Sequence, residues 1–268
     1  MQLGQRGEKM FQEKMVTPAI PERVYTLCKI VEKKPISNSE LKEKLEPDYL
    51  NNASSYYADY RNAAEELKLI SISDNMISLN VEPSVIKTTG HMRKYINSMI
   101  GEFHNGQFYQ VTRAYFDLDS NILKGEKNVA NLAPLMSQKT NRPVDAMAMR
   151  AWRFWVSYLG MGYLQDMFII PNADTFIKDI IEIARFEKNR RYSFGEFMGR
   201  ILPYSKIIIN SDPNNRSINY GVSNALRSLH DAGYIKLEHI LDQDDIWNLY
   251  PLKAHTISGT VTNITICK

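Results

Sequence analysis

"LHDAGYIKLEHI" (residues 229–240) decides the fold of this chain, because a helical pattern ends there and an alternating pattern begins. Gly233 ends the helical pattern, and apolar residues then alternate with polar ones, as is typical of a β-strand. The same change occurs in "AAEELKLISIS" (63–73) and in "VSYLGMGYLQDMFII" (156–170). We therefore predict three copies of one small unit, in which an amphipathic helix leads directly into a β-ribbon.

The composition is that of an ordinary globular protein. The chain has 268 residues, of which 44% are hydrophobic and 24% are charged, and its net charge is +3. No stretch reaches the ~18 apolar residues that a membrane-spanning helix requires, and the charged N-terminus does not resemble a signal peptide. Cys28 and Cys267 lie far apart in the sequence. We expect Cys28 to be a buried free thiol and the protein to be cytoplasmic.

The first unit is predicted over residues 20–82, after a flexible N-terminal segment at 1–19. Four apolar residues of "PERVYTLCKIVEKK" have the i, i+3, i+4, i+7 spacing of one helix face. A short helix follows, with Ser37 or Ser39 as its N-cap, and "NNASSYYADYRNAAEELKL" is predicted as a third, longer helix. "LISISDNMISLN" alternates on both sides of its Asp-Asn pair, which predicts a hairpin turn there.

Two further units follow along the chain. Residues 83–171 are predicted as a helical spacer with a second unit, residues 172–252 as the third unit, and residues 253–268 as a C-terminal strand or tail. In the third unit a capping box begins a helix at Ser193, and the ribbon is predicted to turn at Asp242-Gln243-Asp244. The fold class is therefore mainly α with small β-ribbons (α+β). Because each unit is small for independent stability, we expect the units to pack together through shared helices.

The sequence contains no recognisable catalytic or metal-binding motif. It has no Gly-rich phosphate loop, no Gly-x-Ser-x-Gly and no His-Glu-x-x-His, and its two cysteines cannot form a structural zinc site. The five histidines are scattered, and the acidic residues at 242–245 lack the Gly and Glu of a calcium-binding loop. We expect a protein that is not an enzyme and needs no cofactor or metal, with a hydrolase of unrecognised type as the least favoured alternative.

Aromatic and arginine side chains alternate in "AWRFWVSYLGMGYL" (151–164). Such a series could stack on the bases of a single nucleic-acid strand. Trp152, Trp155 and Leu159, however, have the i, i+3, i+7 spacing of a helix core. We favour the core interpretation.

Polar and basic residues around the third helix of each unit are candidates for DNA contact. In a helix-turn-helix the second helix of the motif enters the major groove, where Asn can bind adenine and Arg can bind guanine. The candidates are Asn51, Asn52, Ser54, Ser55, Arg61, Lys139, Arg142, Arg150, Arg153, Lys188, Arg190, Arg191, Asn215, Arg216, Asn219, Ser223, Asn224 and Arg227. Among them, we favour four residues of the second unit for binding DNA through charge: Lys139, Arg142, Arg150 and Arg153. For the candidates of each unit, the alternative is that they form a solvent-exposed surface that binds nothing.

The predicted ribbon turns argue against DNA contact in the first and third units. Asp74-Asn75 and the acidic residues at 242–245 would be repelled by phosphate. The alternative function is therefore that of a subunit for protein–protein interaction, in which the same helices dock on another chain and the acidic ribbons meet a basic partner.

The order of a helix, a short helix, a longer helix and a ribbon resembles the winged helix-turn-helix family over roughly residues 20–82. With "AWRFWVSYLGMGYL" and the C-terminal unit, the whole chain is similar to tandem winged-helix accessory subunits of bacterial anti-phage and DNA-modification systems, such as those that accompany 7-deazaguanine modification. The resemblance implies an adaptor that binds double-stranded DNA beside an ATPase or nuclease encoded elsewhere. A homodimer is one alternative for its assembly.

Overall fold

Ten α-helices carry most of the regular structure in the described part of the chain, and the sheets are small and antiparallel. The structure is a computed structural model that describes residues 8–50, 55–125, 127–209 and 216–268. The α+β class predicted from the sequence is thereby confirmed. Within those residues, none of the helices combines the length and the apolar character that crossing a bilayer requires.

Residues 20–82 form three helices and a three-stranded sheet. The elements are α1 (Pro21–Val31), β1 (Ile36–Ser37), α2 (Asn38–Leu45), α3 (Tyr57–Glu66), β2 (Ile70–Ser73) and β3 (Met76–Leu79). The Ser37 hydroxyl accepts a hydrogen bond from the Glu40 amide and caps α2. Asp74 and Asn75 have φ values of 49° and 62°, which suit a two-residue hairpin turn and confirm the turn predicted between β2 and β3. The strand order in this sheet is β1-β3-β2.

Residues 83–171 form four helices and a hairpin. The elements are α4 (Thr89–Met99), α5 (Gln107–Phe116), α6 (Ala133–Thr140), α7 (Ala146–Tyr158), β4 (Gly162–Gln165) and β5 (Phe168–Pro171). The Asp145 carboxylate caps α7 by accepting a hydrogen bond from the Ala148 amide at 2.7 Å. After α7 the chain reverses at Gly160, whose φ of 75° favours glycine. β4 and β5 pair antiparallel, which confirms the predicted hairpin.

Residues 172–268 repeat the arrangement of the first unit. The elements are α8 (Asp174–Ile183), β6 (Arg191–Ser193), α9 (Phe194–Ser205), α10 (Tyr220–Asp231), β7 (Ile235–Glu238), β8 (Trp247–Asn248), β9 (Thr260–Val261) and β10 (Asn263–Ile266). Ser193 caps α9 by accepting a hydrogen bond from the Glu196 amide, as the capping box predicts. Three of the strands form an antiparallel sheet in the order β6-β10-β7.

The ribbon predicted with a turn at 242–244 is wrong. β7 pairs with β10 instead, with Ile235 opposite Ile266, and the segment after the predicted turn forms β8, which pairs with β9. Burial explains the choice, because β10 buries the apolar side chains of Ile264 and Ile266. Residues 253–268, predicted as a separate strand or tail, therefore supply the central strand of this sheet.

The segment before α1 packs into the molecule. Phe11 and Met15 are each at most 1% exposed, and the Phe11 ring centroid lies 4.8 Å from that of Trp155. The prediction that residues 1–19 are flexible is therefore wrong for residues 8–19. The residues before that segment lie outside the described part of the chain.

Buried apolar side chains from all three units form one continuous core. Arg93 on α4 forms an ion pair with the buried Asp179 on α8, with Nε and Oδ2 2.7 Å apart. Asn97 on α4 donates to the Asp179 carboxylate at 2.9 Å and to the Leu159 carbonyl at 3.1 Å. The units therefore pack through shared helices, as expected. Cys28 is a buried free thiol, and burial raises its pKa to about 12.

Candidate nucleic-acid interface

The third helix of the last unit, α10, is covered by the segment that connects β7 to β10. Ser223 is fully buried, and its hydroxyl accepts a hydrogen bond from the Tyr250 amide at 2.8 Å. Arg227 is 3% exposed and donates to the carbonyls of Ile257, Tyr250 and Ser258. Neither side chain can reach DNA. This corrects the prediction that Ser223 and Arg227 are contact residues.

The start of α10 is also occupied by structural contacts. The Asn219 side chain accepts a hydrogen bond from the Val222 amide at 3.0 Å and is the N-cap of the helix. Asn224 is half-buried. Asn215 lies outside the described residues. The polar residues at 219 and 224 therefore belong to a helix that is mostly enclosed, and Asn219 has a local structural role.

Arg216 contacts the acidic segment that follows β7. Its Nη1 donates to the Asp244 carbonyl at 2.8 Å and lies 3.8 Å from the Asp245 carboxylate. Asp245 in turn accepts a hydrogen bond from the Gly195 amide at 2.7 Å, and a Cβ at position 195 would lie 2.6 Å from that carboxylate. The charge of Arg216 is thus partly balanced within the protein, and its assignment to DNA stays a prediction.

A carboxylate occupies the N-terminal end of α3, where a phosphate would otherwise bind. Glu46 accepts hydrogen bonds from the Ser55 hydroxyl at 2.8 Å and from the amides of Tyr56 and Tyr57 at 2.9 and 3.2 Å. A phosphate would need these donors and would be repelled by Glu46. Ser55 therefore has a structural contact of its own, and its assignment to DNA binding stays a prediction. Three other candidates of this unit lie outside the described residues: Asn51, Asn52 and Ser54.

Arg61 on α3 is directed toward the start of α2. Its Nη1 donates to Asn38 Oδ1 at 3.1 Å, and its Nη2 donates to Asn62 Oδ1 at 2.8 Å. The guanidinium also lies 5.7 Å from the Tyr57 ring centroid. The side chain is half-buried, and these contacts connect α3 to the start of α2. The assignment of Arg61 to DNA binding stays a prediction.

The basic cluster between α8 and α9 is only partly available. Arg190 forms an ion pair with Glu187 at 2.6 Å and lies 4.9 Å from the Tyr192 ring centroid. Lys188 and Arg191 are exposed, and neither forms an ion pair with any residue that the structure describes.

The helix pair α6 and α7 presents the largest set of accessible candidate cations. Lys139 at the end of α6, Arg142 in the turn and Arg150 on α7 are all exposed. None of the three forms an ion pair within the described ranges. We call these three residues the α6–α7 face. In a helix-turn-helix, the N-terminal half of the second helix enters the major groove.

Arg153, the fourth candidate of this unit, holds the neighbouring hairpin in place. Its Nη1 donates to the Asp166 carbonyl at 3.0 Å in the turn between β4 and β5, and it also contacts the Met167 sulfur. The guanidinium lies 4.7 Å from the Phe154 ring centroid. Burial, and then the nearby charge of Arg150, lowers the pKa of Arg153. Arg153 is thus a half-buried link between α7 and the hairpin.

Sequence reasoning missed the contribution of the N-terminal segment to this region. Lys14 lies 3.3 Å from the Asp145 carboxylate, and together with Arg142 it lines an open cavity of about 630 Å³. Gln107 also lines the cavity, and its side chain accepts a hydrogen bond from the Met15 amide at 3.0 Å. The signal that could have found this arrangement is the apolar Met10, Phe11 and Met15, which are unusual in a flexible segment.

Trp152 and Trp155 lie in the core, which confirms the core interpretation. Both indoles are 0% exposed, and the Trp152 Nε1 donates to the Thr112 hydroxyl at 2.9 Å. Neither ring can stack on a nucleic-acid base.

The described residues contain no cluster of three His, Cys, Asp or Glu side chains that could hold a metal ion. His255 has a structural role instead. Its Nδ1 accepts a hydrogen bond from the Ile257 amide at 2.9 Å, and its Nε2 lies 3.1 Å from the Asp231 carboxylate. This pattern places the proton on Nε2 and holds the segment that covers α10.

Comparisons with protein-family models, with curated proteins and with solved structures find no match for this chain.

Proposed function

We propose that the protein is a non-enzymatic adaptor that binds double-stranded DNA through the α6–α7 face. One observation carries the proposal. Lys139 on α6, Arg142 in the following turn and Arg150 on α7 are all exposed, and none of them forms an ion pair with a carboxylate of the described residues. Cations of this kind bind phosphates with release of counterions from DNA.

The topology supports the interpretation of the units as winged helices. The three-stranded sheets of residues 20–82 and 172–268 each follow the order helix, strand, helix, helix, strand, strand, and in each the last strand lies at the centre of the sheet. In the third unit the extra strands β8 and β9 are inserted before that last strand. The second unit has three helices, α5 to α7, followed by the β4–β5 hairpin. In such units the third helix enters the major groove. We assign that role to α7, because Glu46 occupies the end of α3 and a loop covers α10. Catalysis would then belong to a separate subunit, such as an ATPase or nuclease of a bacterial defence system.

A titration of a labelled DNA duplex at several salt concentrations tests the proposal. With three phosphate contacts, the slope of log affinity against log salt should be about −3. Replacing Lys139, Arg142 and Arg150 together with alanine should move that slope toward zero by about the same amount and weaken binding at low salt. Fluorescence anisotropy measures both quantities.

The matched control is the triple alanine variant of Lys188, Arg190 and Arg191, which removes the same formal charge from another surface. It should keep most of the wild-type slope, because Arg190 is already paired with Glu187. Equal losses in the two variants would mean that only net charge matters, and a wild type with no salt-dependent affinity would reject DNA binding.

Exposed apolar side chains favour a second candidate function, that of a protein-interaction subunit. Met147 on α7 is 48% exposed beside the basic residues, and Tyr163 and Leu164 on β4 are 49% and 38% exposed. DNA does not require such side chains, whereas protein interfaces bury them. If the duplex titration shows no salt-dependent affinity for DNA, protein–protein interaction becomes the favoured function.

A further inference from the structure

A groove with basic rims and an apolar floor lies on the first unit, between the C-terminal half of α1 and β1. Its volume is about 590 Å³. The groove is lined by Thr26, Ile30, Ile36, Lys29, Lys33, Lys34, Lys44 and one carboxylate, that of Glu32. Lys29 forms an ion pair with Glu32, and Lys44 forms one with Glu40. Lys33 and Lys34 are exposed, and no carboxylate of the described residues pairs with them. We call this surface the basic groove.

A loop of opposite character follows β7 in the third unit. We call residues 239–246 the acidic loop. Leu241 is 77% exposed, and Asp242 and Asp244 are exposed without an ion pair to any described residue. The loop is held in place, because the Asp245 carboxylate accepts hydrogen bonds from the Gly195 amide and the Trp247 indole. An apolar side chain presented on such an anchored loop loses little conformational freedom on docking.

We propose that the acidic loop of one copy of this chain docks into the basic groove of a second copy. Leu241 would cover the apolar floor, and the two exposed aspartates would face Lys33 and Lys34. Complementary charge steers the encounter, and burial of the leucine stabilises the contact. Since both surfaces belong to the same chain, every copy carries one of each.

The contact is head-to-tail, because the loop and the groove are different surfaces. Each copy gives its loop to one neighbour and receives a loop from another, which produces rings or open rows instead of a two-fold dimer. A row of copies would place several α6–α7 faces along one duplex. That last consequence rests on the proposed function, whereas the self-association does not.

Sedimentation velocity of the full chain without DNA tests the proposal. The sedimentation coefficient should rise with protein concentration at low salt and fall again near 1 M salt, where charges are screened beyond about 3 Å. The loop variant, Leu241→Ser with Asp244→Ser, should raise the dissociation constant about tenfold or more. The groove variant, Lys33→Glu with Lys34→Glu, should do the same. Circular dichroism melting shows whether each variant is folded.

A mixture of the two variants gives the sharpest result. The intact loop of the groove variant can enter the intact groove of the loop variant, so an equal mixture should form one-to-one complexes and nothing larger. The matched control, Leu252→Ser with Asp48→Ser, should associate like the wild type. A monomeric wild type at every concentration, or a mixture that stays monomeric while the wild type associates, would overturn the proposal.

Discussion

Glu66 is a half-buried residue whose carboxylate binds a backbone segment far away in the sequence. Its carboxylate accepts hydrogen bonds from the amides of Phe11 at 3.0 Å and Gln12 at 2.7 Å. Burial raises the pKa of Glu66 from an ordinary value of 4.5 to about 7, although the two amide donors and Lys9 act in the opposite direction. Near pH 6 the folded protein therefore keeps a proton that the unfolded chain has released.

This difference predicts how the free energy of unfolding depends on pH. Because the folded pKa is raised, the contribution of Glu66 to stability should fall as pH rises from about 4.5 to about 7. Glu66→Gln cannot ionise, so the wild type should lose about 2 kcal/mol relative to this variant across that range. Urea denaturation at pH 5 and at pH 8 measures the change. Glu65→Gln, an exposed neighbour on α3, is the control and should follow the wild type at both pH values.

At the scale of elements, the long connection between β7 and β10 depends on one buried cation. Arg227 donates from Nε to the Ile257 carbonyl at 2.9 Å and from Nη2 to the Tyr250 and Ser258 carbonyls at 2.7 and 3.0 Å. Burial lowers the pKa of Arg227. Ser223, through the Tyr250 amide, and Asp231, through His255, also attach the connection to α10. Arg227 is the α10 side chain that binds three of its carbonyls.

Replacing Arg227 with alanine should release this connection from α10. Three carbonyls would lose their donor, and we expect a loss of about 2–4 kcal/mol in the free energy of unfolding. Hydrogen exchange should become faster for amides of residues 249–259, while amides of β2 and β3 should be little changed at first. Arg191→Ala removes an exposed arginine from the same unit and should leave the exchange rates unaltered. Unchanged protection of residues 249–259 in Arg227→Ala would contradict the assigned role.

Elements fixed by neighbouring residues could be predicted from the sequence. The serine caps of α2 and α9 and the Asp74-Asn75 turn depend on contacts within a few positions. The pairing of β7 could not be predicted in the same way, because its partner lies beyond a long connection that carries a turn signal of its own. Local pattern indicates that a strand exists and leaves its neighbour undetermined.

The candidate site shows the same limit at the level of side chains. The polar residues Asn219 and Ser223 have the composition of a solvent-facing helix, and sequence could not reveal that a loop encloses them. Arg61 and Arg153 likewise gave no sign that they are held by nearby carbonyl or amide oxygens. The exposure of Lys139, Arg142 and Arg150 could be predicted, because long charged side chains are rarely buried without a partner.

At the scale of the whole molecule, the N-terminal segment joins the first unit to the second. Phe11 packs its ring against Phe103, Phe108 and Trp155, with centroids 5.3, 5.2 and 4.8 Å away. The backbone approaches closely here too, since a Cβ at Gly106 would lie 2.0 Å from the Phe11 carbonyl oxygen. Glu66 on α3 holds the same segment from the first unit. Residues 8–19 thus connect the first unit to α5 and α7.

A continuous core predicts that the three units unfold together. Phe11→Ala should cost about 3–5 kcal/mol, because it opens a cavity among aromatic rings that relax only partly. If the core is cooperative, the slowest-exchanging amides of β3 in the first sheet and of β10 in the last should lose protection by the same amount. Met147→Ala removes a half-exposed side chain and should leave the protection of β3 and of β10 unchanged. Loss of protection in β3 alone would show that the units are stable separately. In that case the covered α10 and the accessible α6–α7 face would belong to independent modules, and the orientation of α7 toward DNA would no longer be fixed by the rest of the chain.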